Sequence, residues 1–183
     1  MKNRLAVSAL VSCTAILACD NDGGTGTSLA PQDFGANLTG DAVRPAPAIT
    51  SATGIASIRV TTGSSDVYDP NGNGPANITY SITVNGLSGP ATEACIHAPA
   101  GVNDVVDELA LLTITSQQVD GLIISGTVVG PLLNPQISLD SLVVLLMTGN
   151  AYVDVHTDAY YDGEIRGQAL LLNGFRVAPS IRR

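Results

Sequence analysis

Short runs that alternate apolar with polar residues, rich in Val, Ile and Thr, recur along this chain and are cut apart by glycine, proline, asparagine and aspartate. ATGIASIRVTT (Ala52 to Thr62), NITYSITVNGL (Asn77 to Leu87), ATEACIH (Ala91 to His97), Leu109 to Thr115, GLIISGTVV (Gly121 to Val129), AYVDVH (Ala151 to His156) and EIRGQALLL (Glu164 to Leu172) all carry the pattern. A period of two gives a strand one apolar and one polar face. Clusters such as DPNGNGPAN (Asp69 to Asn77) supply the turn chemistry that ends it. A weaker first strand lies near Phe34 to Leu38. Seven or eight such strands in about 150 residues predict an all-β chain, folded as an antiparallel sandwich or barrel. No internal repeat is visible, which disfavours a solenoid.

One segment departs from the alternation. In ISLDSLVVLLMTGN, Leu139, Leu142, Val143 and Leu146 fall at helical spacing, Ser138 is placed to cap the first turn, and Gly149 suits the left-handed position after the last. The spacing predicts one short helix near 138–148, with its apolar face on the end of the sandwich. About seven consecutive apolar residues are too few to span a membrane.

The N-terminus reads MKNRLAVSALVSCTAILACD. Lys2 and Arg4 precede an apolar run from Leu5 to Ala18, the layout of an export signal over 1–18. Ile16, Leu17, Ala18 and Cys19 resemble the bacterial lipobox, in which a small residue precedes a cysteine that is lipidated and becomes the first residue of the mature chain. The resemblance implies a palmitate-type acyl anchor on Cys19, an extracytoplasmic location on the periplasmic or cell-surface side, and a membrane partner reached through lipid. Asp20 follows the lipobox at the place of an inner-membrane retention signal. The next residues, DNDGGTGTSLAPQ, hold almost nothing large and apolar, so they cannot offset the entropy of being ordered and read as a tether over 19–32. One compact domain, 33–183, remains.

Without the signal the chain has six arginines, no lysine and sixteen carboxylates, a net charge of −10. An acidic chain with no basic cluster argues against nucleic acid and against anionic headgroups as partners. Once Cys13 leaves with the signal and Cys19 carries lipid, Cys95 has no partner for an intramolecular disulfide. A lone thiol in an exported protein points either to burial as a small apolar group or to metal binding.

Three stretches together resemble the CHRD family, named from chordin and found singly in many exported bacterial proteins. They are LTGDAVRPAPAITSATGIASI (Leu38 to Ile58), ATEACIHAPAG (Ala91 to Gly101) and LVVLLMTGNAYVDVHTDAYYDGEIRGQ (Leu142 to Gln168). They are similar to the family's Leu-x-Gly opening, its His-Ile-His element, and its Tyr-Val-x-Val-His-Thr followed by Gly-Glu-Ile-Arg-Gly-Gln. The resemblance covers about Asp33 to Leu172 and implies an immunoglobulin-like or superoxide-dismutase-like β-sandwich. Two departures stand out. The family's glutamate before its first prolines is replaced here by Ala42, Val43 and Arg44, and the first histidine of His-Ile-His is Cys95.

Strand alternation puts Glu93, Cys95 and His97 on one face, Tyr152, Asp154 and His156 on one face, and Glu164, Arg166 and Gln168 on one face, with Val153, Val155 and Ile165 inward. If the strands of Tyr152 and Glu164 form a hairpin over the loop TDAYYDG, and the strand Ala91 to His97 is also a neighbour, both histidines of the chain meet its free thiol. Cys95, His97 and His156, together with a carboxylate, are then candidate ligands for zinc or copper, by softness and usual coordination. The superoxide dismutase fold holds copper with a His-x-His strand, an analogy of motif alone. The other reading is structural: Arg166 pairs with Glu164, Asp154 or Asp162, His156 bonds locally, and Gly163 and Gly167 serve a turn and a tight packing site. No Gly-x-Ser-x-Gly elbow, phosphate loop or His-Glu-x-x-His is present, so catalysis has no sequence support. Two functions remain: a binding or structural module for an unidentified protein or ligand, or a metal-handling or redox protein.

Overall fold

A computed structural model describes residues 31–62, 76–129, 132–133 and 136–172. The signal and lipobox readings, including Cys19, lie outside them, as does most of the tether and of the Asp69 to Asn77 loop. The strands are β1 (Gln32–Thr39), β2 (Thr53–Thr62), β3 (Ala76–Asn85), β4 (Ala91–His97), β5 (Glu108–Leu111), β6 (Leu122–Val128), β7 (Tyr152–Thr157), β8 (Tyr160–Gln168) and β9 (Leu170–Leu171). They form one antiparallel sheet in the order β5-β4-β7-β8-β1-β2-β3-β6, with β9 also on β1. The sheet curls into a nearly closed, barrel-like form. Its two end strands are bridged by Leu132 and Leu133, which sit with Leu109 and Val128, and Leu133 N–H donates to Leu109 O at 2.8 Å.

Alternation builds half of this sheet simply. In β2, Ala56, Ile58 and Val60 are buried while Ile55 and Arg59 face out; in β3, Ile78, Tyr80, Ile82 and Val84 fill the core. The weak first strand becomes an eight-residue central strand, because β2 on one side and β8 with β9 on the other give it partners. α1 (Leu139–Met147) forms as expected: Ser138 accepts from Ser141 N–H, Gly149 takes φ +68°, and Leu142, Val143 and Leu146 are buried against the sheet near β3 and β9. No helix among the described residues is long and apolar enough to cross a membrane.

β4, β7 and β8 behave differently, since both of their faces are covered. In β7 every residue but His156 is buried, polar and apolar alike. The segment Val43–Pro45 and the loop joining β4 to β5 (98–107) fold over the polar face and make a cavity of about 460 Å³ there. This cover positions the site.

Two local expectations are corrected. The β7–β8 connection is not a loop over TDAYYDG, because the strands continue to Thr157 and resume at Tyr160, leaving Asp158 and Ala159 as the turn. Nor do Glu164 and Arg166 share an environment. Val155 pairs with Ile165 and Thr157 with Tyr160, so β8 takes five steps where β7 takes two. Gly163, at φ +109°, lies within that irregularity, and strict alternation fails across it.

Candidate metal centre

β4 and β7 are antiparallel neighbours, with Cys95 opposite Asp154, Glu93 opposite His156 and His97 opposite Tyr152. Two Xaa-x-His dyads, Cys95-x-His97 and Asp154-x-His156, therefore stand side by side on the covered face. One donor atom from each of the four residues lies within 4.8 Å of every other. Cys95, His97 and Asp154 are buried and the His156 side chain is 15% exposed. A tetrahedral zinc site spreads its donors about 3.3–3.8 Å apart, from its bond lengths, so modest side-chain motion would close this set around one ion.

The histidine tautomers follow from their partners. His97 Nδ1 donates to Val106 O at 2.8 Å and His156 Nδ1 to Tyr161 O at 2.7 Å; a carbonyl only accepts, so each Nδ1 carries a hydrogen. Both Nε2 atoms then face the same carboxylate oxygen, Asp154 Oδ1, at 3.1 and 3.2 Å. The His97 contact is a hydrogen bond. His156 Nε2, although close, lacks hydrogen-bond geometry and is a buried nitrogen without a hydrogen-bond partner. Its contact with Asp154 is an ion pair by distance alone.

Burial by itself would lower both imidazole pKa values, but the Asp154 carboxylate outweighs it, raising His97 and bringing His156 to about 9. Burial alone would raise Asp154, yet His156 and His97 hold it below the usual range. Burial and then the Asp154 charge push the Cys95 thiol up, so it stands protonated and donates to Glu93 Oε1 at 3.2 Å.

Arg166 takes a role the sequence did not indicate. It is buried, lines the cavity, and pairs with no carboxylate among the ion pairs of the described residues. Its Nη2 donates to Gly101 O and Val102 O, and its Cζ sits 3.5 Å over the Tyr152 ring. Glu164 does not reach the cavity wall; it is fully buried and accepts from Thr50, Thr157, the Ser88 hydroxyl and Ser88 N–H. Gly163 borders the cavity beside Asp154 and His156, and Gly167 packs on the backbone of β1 at Asn37.

The structure thus brings Cys95, His97 and His156 together. It supplies the carboxylate as Asp154, which the sequence reading put on the right face without naming it as a ligand. Its signal was present: Asp-x-His repeats the spacing of Cys-x-His, and on adjacent strands two such dyads make a square of donors.

A family profile for the CHRD domain matches residues 34–169. No curated protein and no solved structure matches the chain. The matched span runs from within β1 past the end of β8 and holds every residue of the cavity wall. Covering most of the sequence, it makes this chain a member of the CHRD family.

Proposed function

We propose that this chain is a lipid-anchored, extracytoplasmic CHRD module that binds one zinc or copper ion through Cys95, His97, Asp154 and His156 and handles that ion as exchangeable cargo. The observation that carries the reading is the convergence of four donors of the right chemistry, one of them the buried His156 Nε2, which has no hydrogen-bond partner. One thiol and two imidazoles suit zinc and copper; calcium or magnesium would want oxygen donors throughout. All four ligands come from two strands already paired backbone to backbone, so the fold does not depend on the ion. The cluster also opens on the cavity, which gives the ion a way in and out.

The test is metal titration of the full-length chain in detergent, stripped of metal and offered Zn²⁺ or Co²⁺ alone. One ion per chain is expected, with Cys95→Ser and His156→Ala each weakening binding by more than about a hundredfold, beyond the cost typical of outer residues. Sub-stoichiometric binding by the parent, or unchanged binding by His156→Ala, would overturn the reading.

The anchor rests on Lys2 and Arg4, the apolar run to Ala18, and Cys19. Cys19→Ser is expected to move the protein from the membrane fraction to the soluble one; unchanged fractionation would rule out lipidation there.

A further inference from the structure

We infer that Tyr152 and Arg166 are positioning residues for the metal, holding the His97 imidazole at the orientation in which Nε2 meets the ion. This rests on the metal reading above and deepens it. The His97 and Tyr152 rings are stacked, with centroids 4.5 Å apart and planes 7° from parallel. The Arg166 guanidinium covers Tyr152 at 3.5 Å, so three planar groups form one column that ends on a metal ligand.

An imidazole on a strand has two soft torsions. The Nδ1 hydrogen bond to Val106 O fixes the direction of one ring edge, and a stacked neighbour fixes the ring plane. Together they leave Nε2 one place to point. The column is anchored to a single loop, since Arg166 donates to Gly101 O and Val102 O while His97 donates to Val106 O. Burying a guanidinium without a carboxylate is costly. Here the two carbonyls and the Tyr152 ring face compensate, and what their arrangement fixes is the His97 ring.

His156 gives an internal contrast. Its Nδ1 is held by Tyr161 O, but among the described residues no ring stacks on it. Loss of the column should therefore act through His97 alone.

Zn²⁺ affinity of the full-length chain, measured by competition with a chromophoric chelator, tests this. Tyr152→Leu should weaken binding about tenfold, the lower end for residues that orient a metal ligand. Tyr152→Phe, which keeps a ring to stack, should restore most of the loss. In a His97→Ala background, on the three-ligand site that remains, Tyr152→Leu should change affinity by less than about twofold, since there is no ring left to orient. Should Tyr152→Leu not fold, Arg166→Met, which spares both rings, is expected to weaken binding about fivefold and to lose that effect in the same background. Parental affinity in folded Tyr152→Leu, or the same tenfold loss with His97 already removed, would overturn the inference while leaving the metal site standing. A parent chain that binds no Zn²⁺ would instead overturn the metal reading and the inference with it.

Discussion

Gly167→Ala is expected to destabilise the domain by about 3–5 kcal/mol, a large share of the about 5–15 kcal/mol that keeps a typical domain folded. A Cβ there would stand 2.3 Å from Asn37 O, 2.8 Å from Asn37 C and 3.0 Å from a Leu38 methyl. The first two are backbone atoms of β1, which lies mid-sheet with β2 on one side and β8 and β9 on the other. Neither neighbour can retreat without breaking a ladder. Overpacking of a side chain typically costs about 1–3 kcal/mol, and a clash with the Asn37 backbone rather than with a movable side chain puts this site at or beyond the top of that range. Gly89→Ala is the control, because nothing lies within 4 Å of its added carbon. Denaturant midpoints of the two variants and the parent decide the matter. A Gly167→Ala domain within about 1 kcal/mol of the parent would mean that β1 and β8 part more easily than their spacing implies.

Glu164→Gln is the second large effect, about 2–4 kcal/mol at neutral pH, with a marked dependence on pH. Burial alone would raise the Glu164 pKa, but hydrogen bonds from Thr157, Ser88 and Thr50 hold it below its ordinary value of 4.5. Four donors converge on its two oxygens. A glutamine offers one acceptor oxygen and an NH₂ that can only donate, so some of those donors would be left buried and unmet. A depressed folded pKa fixes the sign: the carboxylate's contribution is in place above about 4.5 and is lost as the pH falls through the folded value. The gap between parent and Glu164→Gln should therefore be wide at pH 7 and narrow towards pH 3. Equal gaps at the two pH values, or a gap below about 1 kcal/mol at pH 7, would mean that the four contacts are not worth a charged acceptor.

The carboxylate also explains why the Gly-Glu-Ile-Arg-Gly stretch reads so differently in sequence and in three dimensions. Side-chain parity along β8 puts Glu164 beside Arg166, and an ion pair between them is the natural expectation. The irregular register opposite Val155 and Thr157 breaks that parity, sending Glu164 to Ser88 and Thr50 while Arg166 turns to Tyr152 and the β4–β5 loop. Neither partner set lies within the local pattern: Ser88 is 76 residues from Glu164, and Gly101 is 65 from Arg166.

What the sequence determined by itself is whatever depends on near neighbours. Period-two alternation, turn residues and one helical interval suffice for the all-β class, the strands, the helix with its Ser138 cap, and the inward faces of Val153, Val155 and Ile165. They also place Cys95 with His97, and Asp154 with His156, on one face each, because that follows from spacing along a single strand. The tertiary structure alone decided that β4 lies beside β7, so that the two dyads become four converging donors, and that Val43–Pro45 and the β4–β5 loop cover them. Strand order and loop cover are set by the packing of segments tens of residues apart. That packing buries the polar face of these strands and sets a thiol, two imidazole Nε2 atoms and a carboxylate against one another.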